Sequence, residues 1–163
     1  MYCQHCYQRF CQTVLVRSSV SKRSNTMFPI QGSCNCGCVI YHVTAPFKAQ
    51  VACHCKGCQK HSQSAFSIIG ILNSHHFLID TTKLYCWRKR GAKGEVANCY
   101  FCSGCGNRIY HQLENSRDYV LLKLGTLDDT SVINPRTHIW TCTKQDWFAI
   151  PSEAQQFKES PFF

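Results

Sequence analysis

The fold of this chain is constrained most by one stretch, Phe101-Cys102-Ser103-Gly104-Cys105-Gly106. Glycines around a Cys-x-x-Cys pair allow a tight turn whose backbone amides face the two thiolates. A second pair, Cys34 and Cys36, lies far earlier in the chain. Because four thiolates complete a tetrahedral shell around zinc with no open position, we predict a structural zinc site. Its ligands would be Cys34, Cys36, Cys102 and Cys105.

A second group of thiols is predicted from the stretch Cys53-His54-Cys55-Lys56-Gly57-Cys58. Three protein ligands that leave the fourth position to water or substrate are the pattern of a catalytic zinc. His54 stands between two of these ligands, so we expect its side chain to face away from the ion and to pack or hydrogen-bond. The alternative is a closed site that Cys99, His61 or another residue completes.

The 14 cysteines among 163 residues are also a composition typical of secreted, disulfide-rich proteins. Close neighbours such as Cys34 and Cys36 are poor disulfide partners, because extended residues two apart do not offer the geometry of an S–S bond. The first residues hold only a short apolar run at 14–16, followed by Arg17, so no clear secretory segment is seen. These features favour metal binding, and with it a reducing, cytoplasmic location.

The seven cysteines outside these two predicted zinc sites are expected to have other roles. Three in strand-like surroundings are expected to be small, buried packing residues: Cys38, Cys86 and Cys142. Cys99 is expected to pack as well, with metal ligation as its alternative. The last three, Cys3, Cys6 and Cys11, lie in the N-terminal segment, where a Cys-x-x-Cys pair could bind metal.

Composition and charge divide the chain in two. Hydrophobic residues make up 44% and charged residues 17%, which argues against a disordered chain. No apolar run reaches the roughly 18–20 residues of a membrane span. The net charge is +9, and residues 1–26 contain basic but no acidic residues. We expect residues 1–26 to form a flexible basic arm and residues 27–163 to form one zinc-binding domain.

Turn signals occur often along the domain, and the runs between them are rich in β-branched and aromatic residues, which predicts strands. Examples are 39–43, 66–71, 84–87 and 119–124. Helical periodicity is rare: we expect a helical turn over 55–61 and a short helix over 152–158. The patterns therefore predict a mainly β, antiparallel fold with little helix and with metal-binding loops.

Several motifs, taken in order, resemble the glutathione-dependent formaldehyde-activating enzyme family, to which centromere protein V belongs. They are Gly32-Ser33-Cys34-x-Cys36-Gly37, Cys53-His54-Cys55-x-x-Cys58 with Ser64-Ala65-Phe66, Phe101-Cys102-x-x-Cys105-Gly106, Gly125-Thr126-Leu127-Asp128-Asp129, Pro135-x-x-His138-Ile139-Trp140 and Lys144-x-x-Trp147. The resemblance covers roughly residues 30–157. This chain departs from it at Cys38, where a small residue such as Ala is common, and in the basic segment before Met27.

The resemblance implies a mostly β, Mss4-like fold with two zinc ions per chain. It places the structural ion on Cys34, Cys36, Cys102 and Cys105, and the reactive ion on Cys53, Cys55 and Cys58. The family's named reaction joins formaldehyde and glutathione as S-(hydroxymethyl)glutathione and is classed as that of a carbon–sulfur lyase. We therefore expect a zinc-dependent lyase whose partners are a thiol, glutathione or similar, and a small aldehyde, without a membrane partner.

Elementary electrostatics adds one expectation about mechanism. Three thiolates leave a bound zinc ion with about −1 charge overall, a weaker Lewis acid than a histidine site. Holding the two reactants together should then matter more than activating them. Five basic residues are candidates for steering the carboxylates of glutathione, with a merely solvated basic face as the alternative: Lys56, Lys60, Arg88, Lys89 and Arg90.

Two other functions stay open at this point. The chain could be a non-enzymatic, zinc-stabilised binding module for an acidic partner such as nucleic acid, reached through the basic arm. It could also be a zinc-stabilised fold whose ancestral activity is lost. The basic residues of the domain are scattered and do not alternate with an aromatic stacking row, which favours the enzyme over nucleic-acid binding. The sequence makes no prediction of oligomeric state.

Overall fold

The computed structural model describes residues 27–91 and 94–161. The predicted arm at 1–26, with its three cysteines, lies outside the described residues. The described part forms strands, one α-helix and four short 3₁₀ turns, which confirms the mainly β fold. The elements are β1 (Ile30–Ser33), β2 (Ile40–Val43), β3 (Ala49–Cys53), α1 (Lys56–Ser62), β4 (Ser67–Asn73), β5 (Phe77–Ile79), β6 (Leu84–Arg90), β7 (Val96–Cys102), β8 (Arg108–Leu113), β9 (Ser116–Lys123), β10 (Thr137–Ile139) and β11 (Gln155–Gln156), with 3₁₀ turns at Ser74–His76, Leu124–Thr126, Thr130–Val132 and Thr141–Thr143.

The strands make two sheets. The small sheet has the order β1-β2-β5, and the large sheet has the order β11-β10-β3-β4-β9-β8-β7-β6. Neighbouring strands are antiparallel except at one edge, where β10 runs parallel to both β3 and β11. The antiparallel expectation therefore holds for most of the molecule. No helix among the described residues is long and apolar enough to cross a membrane.

Local predictions succeed in the strands and fail at the C-terminus. The four predicted strands correspond to β2, β4, β6 and β9, and the helical turn at 55–61 is α1. The helix predicted over 152–158 is wrong. The backbone N–H groups of Gln155 and Phe157 instead donate to the carbonyls of Arg136 and His138, at 2.8 and 2.9 Å. Pairing with the edge strand β10 overrides the local propensity of this segment.

Alternation along β9 separates the two faces of the large sheet, because successive strand residues point to opposite sides. Val120 and Leu122 belong to the main core, which includes Tyr41 of the small sheet. Leu121 and Lys123 lie on the opposite face, and Leu121 packs there against the group of buried residues that includes Cys53 and Cys58. The small sheet and the second thiol group therefore occupy opposite faces of the large sheet.

Candidate metal centres and active site

The four cysteines predicted to hold a structural ion come together in space. Cys34 and Cys36 follow β1, Cys102 ends β7, and Cys105 lies in the turn before β8. Their Sγ atoms all lie within 4.8 Å of one another, at 3.4 Å for Cys34–Cys36 and 3.7 Å for Cys36–Cys102. Zinc with four sulfur ligands at about 2.3 Å keeps those sulfurs about 3.8 Å apart. This set, the four-thiol cluster, could therefore hold zinc.

The turns around the four-thiol cluster depend on glycine and on backbone amides. Gly37 and Gly106 have φ angles of +75° and +71°, a left-handed conformation that glycine adopts without a steric penalty. The N–H of Val39 donates to Cys34 Sγ at 3.2 Å, and the N–H of Gly104 donates to Cys102 Sγ at 3.3 Å. Backbone N–H groups placed in this way suit a metal site, whose sulfur ligands accept hydrogen bonds from them.

Three cysteines that we predicted to be buried are exposed, so that prediction is wrong: Cys38, Cys86 and Cys142. Cys86 lies on β6, which is the edge strand of the large sheet, and Cys142 lies in a 3₁₀ turn. A strand-like sequence does not reveal which strand forms the edge. The packing role predicted for Cys99 is confirmed, since this residue is fully buried in a small apolar group.

The second group of thiols, the three-thiol cluster, assembles at the junction of β3 and α1. Cys53 is the last residue of β3, Cys55 caps α1, and Cys58 lies in the first turn of the helix. Their Sγ atoms lie within 4.8 Å of one another. Hydrogen bonds from the thiols of Cys53 and Cys58 lower the pKa of Cys55 to about 2. The backbone N–H of Cys58 also donates to Cys55 Sγ, at 3.3 Å.

Within the described residues the three-thiol cluster has no fourth member. His61, one alternative ligand, places its ring against those of Trp87 and His111, at 5.5 and 6.0 Å between centroids. Cys99, the other, stays in its own apolar group. A tetrahedral ion held by this cluster would keep one position for water or substrate, as a catalytic zinc does.

His54 has the packing and hydrogen-bonding role that we expected. Its side chain is fully buried, and its Nε2 atom lies 2.8 Å from Nδ1 of His138. The rings of Phe66 and Phe148 lie 5.3 and 5.5 Å from its own. Burial, followed by the nearby His138, lowers the pKa of His54 to about 4. His54 therefore connects the cysteine loop to the C-terminal segment that covers it.

Two lysines place positive charge beside the three-thiol cluster. Lys123 is 8% exposed and donates from Nζ to Ser67 Oγ at 3.4 Å. Burial lowers the pKa of Lys123, whereas negative charge on Cys58 and Cys53 acts in the opposite direction. Lys89 extends its Nζ atom over Gly57, where a Cβ would collide with it. These two ammonium groups would offset the excess negative charge of the three thiolates that a bound metal ion requires.

Sequence reasoning found Lys89 but missed Lys123. Lys123 could have been singled out because it lies inside the apolar run 119–124. A lysine is almost never fully buried unless it is paired, so one in a buried strand indicates a nearby negative charge. Of the five predicted steering residues, Lys89 is the one that lines a cavity beside the cluster. Arg88 instead pairs with Glu114, at 2.7 Å. The other three are exposed: Lys56, Lys60 and Arg90.

Two cavities flank this region. The thiol cavity has a volume of about 120 Å³, and its lining includes Cys53, Lys89, His111, Leu121, Ile139 and Trp140. The basic cavity has a volume of about 360 Å³, and its lining includes His61, Gln63, Ser67, Asn107, Arg108 and Lys123. Lys123 and Leu121 lie on the same face of β9, so the two cavities are neighbours along one face of the large sheet.

The sequence profile of the family described as glutathione-dependent formaldehyde-activating enzymes matches residues 29–143. This range is more than half of the chain, and it contains every cysteine of both clusters. The chain belongs to that family. Membership supports a function of the formaldehyde-activating type, and the two thiol clusters are compatible with metal binding.

A solved structure is similar in fold. It is the crystal structure of a Rhodobacter sphaeroides protein, a structural genomics target, with a TM-score of 0.50 and 22% sequence identity. The likeness covers 66% of this chain and 93% of the other. At this identity it shows the fold alone. A search of curated proteins gave no significant match.

Proposed function

We propose that this chain is a zinc-dependent carbon–sulfur lyase that adds a thiol, glutathione or a similar compound, to formaldehyde or a related small aldehyde. The observation that carries the proposal is the three-thiol cluster, which has no fourth ligand among the described residues and reaches the thiol cavity through Cys53. Family membership supports the chemistry. A cytoplasmic location would keep these thiols reduced.

The two clusters would have different roles. Cys34, Cys36, Cys102 and Cys105 would hold the structural ion, and Cys53, Cys55 and Cys58 would hold the reactive one. A zinc ion with an open position supplies a Lewis acid that favours the thiolate form of a substrate thiol. Residues 1–26 would form a separate basic arm.

The reaction requires that the thiol and the aldehyde be positioned together and that one proton be transferred. The substrate sulfur forms a bond to the aldehyde carbon, the π bond of the carbonyl breaks, and the thiol proton ends on the former carbonyl oxygen. The thiol cavity has room for a small aldehyde, and the apolar side chains of Leu121 and Ile139 help to exclude water. Confining both reactants supplies much of the rate enhancement in such additions.

His111 is suited to relay this proton from the thiol to the former carbonyl oxygen. It lines the thiol cavity, and its Nε2 atom is buried without a hydrogen-bond partner among the described residues. Burial holds its pKa well below the usual value, so the imidazole is neutral at neutral pH and would pass a proton on and not keep it. The sequence offered no comparable signal, since His111 becomes part of the site only through strand pairing.

The test combines zinc counting with an assay of thiol–aldehyde condensation. Purified wild type should bind two zinc ions per chain and should accelerate exchange between glutathione and S-(hydroxymethyl)glutathione, measured by NMR. Cys55→Ser should lose about one zinc ion and the acceleration. Cys86→Ser is the matched control, because Cys86 is exposed and belongs to neither cluster; it should keep both properties.

Each remaining alternative has its own outcome. If wild type binds two zinc ions but does not accelerate the exchange, the proposal is wrong. The chain would then be a zinc-stabilised fold that has lost its ancestral activity. Salt-dependent binding of duplex DNA that disappears on deleting residues 1–26, together with no condensation activity, would favour the binding module. Full activity of Cys55→Ser after its loss of zinc would also contradict the proposal.

A further inference from the structure

Cys38 is a fifth thiol beside the four-thiol cluster, and neither of the two metal sites uses it. A Cβ atom built on Gly104 would have three sulfur atoms as its nearest neighbours: Sγ of Cys36 at 3.5 Å, Sγ of Cys102 at 3.8 Å and Sγ of Cys38 at 3.9 Å. These sulfur atoms therefore surround the space that the glycine leaves empty. Cys38 does not belong to the four cysteines whose Sγ atoms all lie within 4.8 Å of one another, so its thiol lies at the rim of the cluster.

Cys36 is the member of the cluster that interacts with this fifth thiol. The backbone N–H of Cys38 lowers the pKa of Cys36, but hydrogen bonds from the thiols of Cys34, Cys105 and Cys38 outweigh it, so the pKa is raised. A thiol acts in this way only at hydrogen-bonding range, so the sulfur atoms of Cys36 and Cys38 are neighbours. Gly37, between the two cysteines, has a φ angle of +75°. The backbone therefore turns here, whereas extended residues two apart do not offer the geometry of an S–S bond.

This side of the cluster is open to small reagents, because both Cys36 and Cys38 are exposed. An accessible thiol beside a second thiol is the arrangement of redox-sensing cysteine pairs. The first thiol is oxidised, and the second converts the product into a disulfide. Cys38 is also a position at which this chain departs from its family, where a small residue such as Ala is common. The pair is therefore a property of this chain and not of the zinc site in general.

We propose that Cys38 is an oxidation site through which a hydroperoxide releases the metal ion of the four-thiol cluster. The O–O bond of the peroxide breaks, the sulfur of Cys38 gains an OH group as a sulfenic acid, and water or an alcohol leaves. The thiolate of Cys36 then attacks this sulfur, and an S–S bond replaces the S–O bond. The hydroxide that leaves takes a proton from solvent. The two sulfur atoms together lose two electrons, and the peroxide gains them.

The disulfide would change both the metal site and the fold. Cys36 can no longer offer a thiolate, which is the form that binds a metal, so three of the four ligands remain. The four-thiol cluster joins the loop after β1 to the turn before β8, so loss of the ion loosens the small sheet. A disulfide between residues two apart closes a short, strained ring, and strained disulfides are easily reduced. The release is therefore reversible, and it does not depend on the proposed lyase function.

Treatment of the zinc-loaded full chain with hydrogen peroxide tests the proposal. A chromogenic indicator measures zinc release, and mass spectrometry with iodoacetamide labelling measures the state of each thiol. Wild type should release the structural zinc ion while Cys36 and Cys38 lose their labelling and their common peptide loses about 2 Da. Dithiothreitol with added zinc should restore the metal and the labelling. Cys38→Ala, which introduces the residue common in the family, should release this ion about tenfold more slowly.

Cys142→Ala is the matched control, because Cys142 is also exposed and belongs to neither cluster. It should release zinc at the wild-type rate. Fragment masses locate each new linkage, which separates this reaction from oxidation of the three-thiol cluster, and the unfolding midpoint shows whether each variant is folded. Cys38→Ser should behave like Cys38→Ala. Release at the wild-type rate from these folded variants, a linkage that excludes Cys38, or a wild type that keeps its structural zinc under peroxide would each overturn the inference.

Discussion

At the scale of single residues, the site depends on charged and polar groups on the large sheet that face the cysteine loop. Lys123, His111 and Cys99 all lie on the face of that sheet that carries the three-thiol cluster, since β9 pairs with β8 and β8 with β7. Lys123 is the one with the clearest energetic role. A buried ammonium is unfavourable unless negative charge compensates it, and Cys53 and Cys58 would provide that charge as metal-bound thiolates.

Lys123→Met tests this pairing. Replacing the ammonium by an apolar side chain of similar length should weaken zinc binding at the three-thiol cluster by about 10- to 100-fold, as for other groups that act just outside a metal's ligands. The affinity would be measured by competition with a chromogenic chelator. Lys60→Met, an exposed change on α1, should leave it unaltered. Equal zinc affinity in Lys123→Met and wild type would disprove the charge role.

At the scale of elements, α1 is too short to be stable alone, and it is held by the C-terminal segment. Gln59 is 8% exposed. Its Nε2 atom donates to the carbonyls of His54 and Thr143, at 2.6 and 2.8 Å, and its Oε1 atom accepts from Gln145 at 3.2 Å. One side chain thus ties the helix, the cysteine loop and the segment after β10 together.

Gln59→Ala should remove all three bonds and lower the free energy of unfolding by about 1–3 kcal/mol, because buried carbonyls lose a donor. It should also speed zinc loss from the three-thiol cluster while the four-thiol cluster keeps its ion. Urea denaturation and chelator kinetics measure the two effects. Gln112→Ala removes one exposed bond to the carbonyl of Arg117 and is the matched control. Destabilisation no larger than that of Gln112→Ala would contradict the role of Gln59.

At the scale of the whole molecule, the two thiol clusters differ in what they connect. The four-thiol cluster links the loop between β1 and β2 of the small sheet to the turn between β7 and β8 of the large sheet. The three-thiol cluster spans one short segment, 53–58. An ion that joins two sheets closes a long loop, so its removal should affect folding far more than removal of the other.

Cys102→Ser and Cys55→Ser should therefore behave differently. A structural zinc contributes on the order of 10 kcal/mol, which is comparable with the whole stability of a domain, about 5–15 kcal/mol. We expect Cys102→Ser to lose cooperative thermal unfolding and to lose amide protection first in β1 and β2. Cys55→Ser should unfold cooperatively with one ion fewer. Similar midpoints for the two folded variants would show that the clusters do not divide the roles in this way.

The sequence by itself determined the parts that depend on local spacing. Cys34 with Cys36, Cys102 with Cys105, and the trio at 53–58 are each close in the chain, so a turn or a helix start brings their sulfur atoms together. The strands that became β2, β4, β6 and β9 were predictable for the same reason, since alternation and β-branched residues act over a few positions. The family resemblance rested on those local motifs too.

The tertiary structure decided the rest. Cys86 is exposed because the strand order places β6 at an edge of the large sheet. The segment 152–158 pairs with β10 because that strand had an unpaired edge. Lys123, His111 and Arg108 reach the site from β8 and β9 through strand register and the direction of each side chain, which no local pattern specifies. The sequence therefore determined the thiols, while the packing of distant strands decided the charges and cavities around them.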